Sequence, residues 1–209
     1  MTRFNILLGG NISLTPRLAA QTAKARTIAA DSGIRHARAL GLEPELWVGD
    51  FDSTESQLLE EYRHVRRETH QRNKDETDGA IAIARALEKG AGELVLVGAH
   101  GGRSDHVLSH FIQMTALKQM GIACFSSSGD EEAHPLVAGN LRLCLPAGLT
   151  LSIIALDRIT GLSISGVKWP LENRAIDPGS TLTQSNVTTG CVSISLKGGR
   201  GLAVISAIE

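Results

Sequence analysis

The change of hydrophobic period near residue 126 constrains this chain more than any other feature. Up to that point short apolar runs alternate with helical patterns. Residues 4–8, 27–30, 46–48, 93–97 and 123–125 are short, apolar and bounded by Gly, Asp or Ser, as buried parallel strands are. Between them, 16–24, 33–40, 53–63, 77–89 and 105–120 have helical character. In the last of these, Val107, Leu108, Phe111, Ile112 and Thr115 predict a core-facing stripe. Strand alternating with helix predicts an open, mainly parallel α/β sheet. The polar run Ser126-Ser127-Ser128-Gly129-Asp130-Glu131-Glu132 then predicts a linker or tight connection. Beyond it no long helical period returns. Residues 141–145, 149–156, 162–167, 181–183, 191–196 and 202–208 read as strands, separated by turn signals such as Pro146-Ala147-Gly148 and Asp177-Pro178-Gly179. Short strands at this spacing predict a β-sandwich or barrel. The expected organisation is an α/β domain over 1–129 followed by an all-β domain over 130–209.

A length of 209 residues accommodates one to two domains. With 21 Lys plus Arg against 22 Asp plus Glu, the net charge of −1 argues against broad nucleic-acid or membrane-surface binding. No run of apolar residues is long enough to span a bilayer, and residues 4–8 are too short a run for a secretory signal. Cys124, Cys144 and Cys191 are widely spaced, with no CxxC and no zinc-ligand spacing, so three free and mostly buried thiols are expected. Free thiols point to a reducing compartment, hence to the cytoplasm.

Six of the nine aspartates lie between positions 31 and 105, mostly just after a predicted strand or at the start of the next helix. In an open α/β sheet, ligands bind outside the carboxyl ends of the strands. Asp31, Asp50, Asp52, Asp75, Asp78 and Asp105 are thereby gathered along one edge. Repelling carboxylates call for a cation, and without a Cys or His cluster a hard ion such as Mg²⁺ suits them. In Gly49-Asp50-Phe51-Asp52-Ser53, an extended segment would point Asp50 and Asp52 the same way. Ser53 or Thr54 would cap the next helix, with Thr54 and Gln57 at capping-box spacing. Lys74-Asp75-Glu76-Thr77-Asp78 opens another helix, where Thr77 and Asp78 read as cap and dipole partner or as ligand residues. Gly101-Gly102-Arg103-Ser104-Asp105-His106 follows the best central strand; Arg103 suits phosphate oxygens, Asp105 is a cap or a ligand, and His106 is structural or catalytic. No P-loop, dinucleotide fingerprint, GxSxG elbow or HExxH occurs.

GDFDS at 49–53, KDETD at 74–78 and GGRSDH at 101–106, in this order, resemble the thiamine pyrophosphokinase family. The resemblance extends to Gly166-Val167-Lys168-Trp169-Pro170-Leu171 and Gln184-Ser185-Asn186, and so covers most of the chain. It implies an N-terminal α/β domain that binds ATP and Mg²⁺, and a C-terminal β-sandwich that binds thiamine and dimerises. It implies a homodimer with active sites shared between subunits. The implied reaction is displacement at the β-phosphorus of ATP by the thiamine hydroxyl, giving AMP and thiamine diphosphate. Carried over position by position, Asp50, Asp52 and Asp78 would hold Mg²⁺, supported by Asp31. Asp31, Lys74, Thr77 and Arg103 would contact ATP. Asp105 would face thiamine, and Thr183, Ser185 and Asn186 would line its pocket. Asp78 or Asp105 would accept the hydroxyl proton, and Trp169 is expected to pack. After the strand-two aspartate this chain has Ser32-Gly33-Ile34-Arg35 where the family often has paired glycines.

Two rivals use the same residues. A metal-dependent nucleotide phosphohydrolase would place an activated water on Asp105, His106 and the D-x-D pair, although metal hydrolases use more His ligands than the acidic motifs here supply. A nucleotide sensor would bind without turnover, which leaves the full acidic set unexplained.

Overall fold

The computed structural model describes residues 1–52, 54–69 and 76–206. The chain divides into two compact units: Met1–Val107 with Ile122–Gly129, and Leu108–Gly121 with Asp130–Glu209.

The first unit holds a parallel sheet. Its strands are β1 (Thr2–Leu7), β2 (Arg26–Ala30), β3 (Pro44–Gly49), β4 (Arg67–Thr69), β5 (Ala91–Val97) and β6 (Ala123–Ser127). Their spatial order is β6-β5-β1-β2-β3-β4, and every neighbouring pair is parallel. The chain steps outward from β1 to β4, then returns through helix α4 (Asp78–Glu88) to place β5 on the other side of β1. That reversal makes the β1–β5 boundary the switch point where such sheets open a crevice. Burial on both faces explains the continuous apolar runs: the last four residues of β1 and of β5 are all buried. The core joins Leu7, Ala29, Val95 and Val97 from the strands to Leu18 of helix α1 (Pro16–Thr22), Ala37 of helix α2 (His36–Leu40) and Trp47 of β3.

All five sequence-predicted strands of this part exist, and β4 is additional. It is only three residues long and its side chains are largely exposed, so it carries no apolar signature. Helix α3 (Ser56–Glu61) is shorter than expected and begins without a side-chain cap. The capping box anticipated at Thr54 and Gln57 does not form, because the helix starts one residue beyond that register, at Glu55 as cap.

Helix α5 (Ser104–Gln119) corrects the stripe expected from its sequence. Thr115 is buried, but Leu108 is 59% and Ile112 51% exposed; His110, Met114 and Leu117 face inward with Thr115. This helix has apolar residues around most of its circumference, so period alone does not select the buried face. The polar run at 126–132 is also no exposed linker. Ser126, Ser127, Ser128 and Glu132 are all buried. Ser126 Oγ lies 2.8 Å from His100 Nε2 and the Ser127 hydroxyl accepts the Gly129 N–H, so polar residues are buried here because they have partners.

The second unit is antiparallel. It contains β7 (Glu131–Leu136), β8 (Gly139–Cys144), β9 (Thr150–Ala155), β10 (Ile159–Val167), β11 (Leu171–Ile176), β12 (Asn186–Leu196) and β13 (Gly201–Ser206). One layer runs β7-β13-β9, the other β8-β12-β10-β11. The long β12 belongs to both: Asn186 and Val187 pair with β9, and Cys191 to Leu196 pair with β8. Alternate residues of the two layers, among them Leu151, Ile153 and Ile205 against Leu162, Val192 and Ile194, form one core. Residues 181–183, expected as a strand, form a turn instead; the Thr183 hydroxyl donates to the Ile153 carbonyl at 2.7 Å.

One sequence expectation fails outright. Cys144 and Cys191 are not free thiols; they form a disulfide. They are register partners on β8 and β12, which a sequence separation of 47 residues conceals. Cys124 is buried and takes no part in a disulfide. The bond removes the free-thiol ground for a reducing compartment.

Candidate active site

Asp31 immediately follows β2 and sits at φ 45°, a left-handed conformation uncommon for a residue with a Cβ. Its carbonyl accepts the indole N–H of fully buried Trp47 at 2.8 Å. Trp47 also packs edge-on against Phe51, ring centroids 4.9 Å apart. One core side chain on β3 thus touches two turns, one after β2 and one after β3. Sequence reading treated Trp47 only as strand filler.

Phe51 is itself left-handed, with φ 60°. Asp50-Phe51-Asp52 is therefore a turn and not the extended segment expected, so strand alternation is not what directs the two carboxylates. Instead Asp50 Oδ1 accepts the Asp52 N–H at 3.2 Å, an Asx-type turn. Backbone strain of this kind at both acidic turns is characteristic of functional positions. Beside them the Thr54 hydroxyl is buried with no hydrogen-bond partner among the described residues.

Thr77 caps α4: its hydroxyl accepts the Ala80 N–H at 3.2 Å. Asp78 occupies the first turn, half-buried, where the helix dipole favours a carboxylate. Lys74, expected to contact ATP, lies outside the described residues, as do Asp75 and Ser53.

At the switch point the segments after β1 and β5 are tied together by backbone bonds, Gly10 N–H to the Gly98 carbonyl and Asn11 N–H to the His100 carbonyl, both 2.9 Å. A Cβ on Gly10 would collide with those carbonyls, which is why glycine stands there. His36 Nε2 lies 2.9 Å from the Gly10 carbonyl, and burial pulls its pKa below the usual histidine value. Sequence reading missed both His36 and His100, since neither belongs to a motif.

Arg103 and Asp105 engage each other through two bonds, Nε to Oδ1 at 3.2 Å and Nη2 to Oδ2 at 2.6 Å. Both are exposed. The guanidinium hydrogen bond holds the Asp105 carboxyl below the usual carboxylate range. Asp31, Asp50, Asp52 and Arg103–Asp105 thus follow the carboxyl ends of β2, β3 and β5, and Asp78 opens the helix that leads into β5.

Among the described residues, no three His, Cys, Asp or Glu side chains gather to hold an ion. The donor set nevertheless fits Mg²⁺. This ion keeps several waters and takes one or two carboxylates plus substrate phosphates, not an all-protein cage. Asp50 and Asp52 supply hard oxygens two positions apart in one turn, and the Thr54 hydroxyl, unpartnered among the described residues, offers a further polar group near them in sequence.

The residues expected to line a thiamine pocket lie in the second unit. Thr183 is 3% and Asn186 6% exposed, and both side chains are engaged internally. Ser185 is exposed at φ 56°, with its N–H donated to Ser152 Oγ at 3.0 Å. Trp169 corrects the packing expectation: it is 54% exposed, with Lys168 Nζ 4.7 Å from its ring centroid. Its backbone is fixed by Asn186, so the indole need not be buried to be held.

Carboxylates along the strand ends of a parallel sheet, an arginine beyond β5 and a second unit built mainly of antiparallel strands place the chain in the class of α/β proteins with an appended β-rich unit. The comparisons narrow it. The thiamin pyrophosphokinase catalytic-domain model matches residues 19–125, and the thiamin pyrophosphokinase vitamin B1 binding-domain model matches residues 142–200. The chain belongs to the thiamin pyrophosphokinase family. It is 29% identical over 194 residues to the thiamine pyrophosphokinase of Bacillus subtilis (strain 168), covering 89% of each chain. It is similar in structure to the crystal structure of thiamine pyrophosphokinase from Bacillus subtilis, with TM-score 0.87, 26% identity and 99% of each chain covered. The fold is shared with the thiamin pyrophosphokinase from Candida albicans at TM-score 0.80 and 15% identity, covering 98% of this chain and 89% of that one.

Proposed function

We propose that this protein transfers the pyrophosphoryl group of ATP to the hydroxyl of thiamine, releasing AMP. The observation that carries the reading is the row of carboxylates and the Arg103–Asp105 pair on successive strand ends of the first unit, in a chain that both domain models match. Transfers of this kind depend on positioning and on neutralising charge. Asp50, Asp52 and Asp78, supported by Asp31, would hold Mg²⁺, which when bound neutralises phosphate charge. Thr77 and Lys74 are assigned to ATP.

Arg103 and Asp105 have coupled roles in this reading. The guanidinium that now grips Asp105 is the group that suits phosphate oxygens. When it turns to ATP, Asp105 loses the partner that depresses its basicity. The carboxylate is then free to orient the thiamine hydroxyl and accept its proton. Ser185 presents its hydroxyl to thiamine from the β unit, with Thr183 and Asn186 behind it.

The protein acts as a homodimer with sites shared between subunits. Support comes from apolar surface that a second copy would cover: Leu108 and Ile112 on α5, and Trp169 and Leu182 on the β unit, are each more than half exposed. Among the described residues no helix is long and apolar enough to cross a membrane. Use of ATP supports a cytoplasmic place. The phosphohydrolase alternative finds no support among the relatives.

The test incubates the protein with ATP, Mg²⁺ and thiamine and measures both products. Equal formation of AMP and thiamine diphosphate, absent without thiamine, is expected. ATP breakdown that ignores thiamine would return the phosphohydrolase reading.

A further inference from the structure

Cys144 and Cys191 place a covalent bond on the outer face of the β unit, where the proposed chemistry makes no use of it. The two residues face each other in register, with Cα atoms 4.0 Å apart, and both are exposed. Two residues along each strand on the same face, Arg142 stands opposite Ser193, and beyond them Asn140 opposite Ser195. Across β12, Ser163 and Ser165 of β10 continue that face. Asn140, Arg142, Ser163, Ser165, Ser193 and Ser195, with neighbouring leucine and isoleucine side chains, line a groove of about 360 Å³ beside the disulfide. Arg142 is the one charged side chain in its lining, and it makes no hydrogen bond or ion pair among the described residues. The disulfide thus lies one same-face step along β8 and β12 from a groove whose single cation makes no hydrogen bond or ion pair among the described residues.

We infer that Cys144–Cys191 is a thiol–disulfide exchange site for an anionic, carboxylate-bearing thiol, and that its oxidation state sets how firmly thiamine is held. The external thiolate attacks one sulfur, the Cys144–Cys191 bond breaks, a mixed disulfide forms, and the other cysteine leaves as a thiolate that takes a proton from water. A second external thiol attacks the mixed disulfide. The external disulfide departs, and the second cysteine is released as a thiol. Two electrons and two protons reach the protein, and two external thiols are oxidised to one disulfide. Arg142 draws the anionic thiol to the groove and stabilises the departing thiolate, the two factors on which exchange rates depend.

The coupling runs through β12, and this part rests on the thiamine assignment of Ser185 and Asn186. The Cys191 carbonyl fills the space a Cβ on Gly166 would need. Three residues earlier, the Thr188 hydroxyl donates to the Pro146 carbonyl at 2.7 Å, two residues past Cys144. On the other side, Lys168 N–H donates to the Val187 carbonyl at 2.8 Å. The disulfide therefore closes one side of the frame that holds residues 185–187. Opening it lets β8 and β12 separate at that end.

The test purifies the full chain without reductant and exposes it to glutathione or to uncharged 2-mercaptoethanol. Mass and thiol labelling follow the bond, and thiamine KM and the Trp169 emission, separated from that of buried Trp47 by acrylamide quenching, follow its consequence. Two labelled thiols are expected to appear, faster with glutathione than with the uncharged thiol at equal thiolate concentration. Surface variant Arg142→Gln should slow the glutathione reaction about tenfold and the uncharged reaction far less. The reduced protein should show a severalfold higher thiamine KM, an unchanged ATP KM and altered Trp169 emission. Cys144→Ala with Cys191→Ala should reproduce those values without any reductant. Thiols free at the outset, or equal glutathione rates in the native protein and Arg142→Gln, would overturn the exchange site. Full reduction with unmoved Trp169 emission and KM would overturn the coupling. Labelling and fluorescence need no turnover, so a protein that makes no thiamine diphosphate in either state defeats the thiamine reading while exchange is judged on its own.

Discussion

The Asn186 carboxamide closes on both backbone groups of Trp169: its Nδ2 donates to the Trp169 carbonyl at 2.7 Å and its Oδ1 accepts the Trp169 N–H at 3.1 Å. The same oxygen accepts the Val187 N–H at 2.9 Å. A buried amide with all these bonds is a clamp on the Gly166–Leu171 segment, and the exposed indole is carried on that clamp. Removing it leaves part-buried backbone groups without these partners, at about 1 kcal/mol. Asn186→Ala should lower unfolding stability by that amount and raise the thiamine KM without moving the ATP KM. Equal shifts in both KM values, or none, would show that the clamp has no bearing on thiamine.

Asp50→Asn and Asp52→Asn keep shape and remove charge. Each should lower AMP formation by at least about 100-fold, the scale of one lost electrostatic stabiliser. The melting temperature should hold or rise, because neighbouring carboxylates repel. Near-normal turnover in both variants would remove the Mg²⁺ assignment from this turn.

His36 gives a pH dependence of stability. Burial, with a smaller push from the Arg35 charge, lowers its pKa in the folded protein below the ordinary 6.5. Above that value both folded and unfolded histidine are neutral and stability is unaffected. As pH falls below 6.5, the unfolded chain takes up a proton before the folded chain does, so stability falls. The slope from this group is at most about 1.4 kcal/mol per pH unit. Denaturant midpoints at successive pH values should show the loss, and His36→Gln, which keeps an N–H donor toward Gly10, should flatten it. An unchanged slope in the variant would assign the effect elsewhere.

Parallel strands were legible because burial on both faces leaves an apolar run that no other element of that length explains; β1 and β5 are the clearest cases. The sequence placed the acidic motifs after strands, as the structure does, but not their local geometry. Strand alternation suggested an extended Asp50-Phe51-Asp52, and the turn depends on Phe51 docking against Trp47, a contact between residues of the core that no local pattern encodes. The Cys144–Cys191 bond was illegible for the same reason: it follows from the β8–β12 register, and register is set by the pairing of distant strands. Asn186 and Thr183 were singled out by resemblance, and their internal bonds are visible only once Trp169 and Ile153 are placed opposite them.

Thr77 has two duties that mutation can separate. Its hydroxyl oxygen caps α4 through the Ala80 N–H, so Thr77→Ala should cost about 1 kcal/mol of stability. Thr77→Ser keeps the oxygen and should restore both stability and ATP affinity. Restored stability with weak ATP binding would place the methyl group, not the hydroxyl, at the nucleotide.

Shared sites make the sharpest prediction about subunits. The carboxylates lie in the first unit, and Ser185 is an exposed residue of the second. Asp78→Asn disables the first set. Ser185→Trp blocks the thiamine wall with bulk at an exposed position, leaving the internal bonds of Thr183 and Asn186 intact; Asn186→Trp would break the clamp and confuse folding with binding. In a two-fold dimer whose sites combine both subunits, mixing the two dead variants puts both lesions in one site and leaves the other native. Co-expressed chains carrying different tags, isolated as verified mixed dimers, should recover up to about half of native turnover. If each site is built within one subunit, every site in the mixture carries one lesion and no activity returns. Inactive mixed dimers would therefore end the shared-site model while leaving the reaction itself untouched.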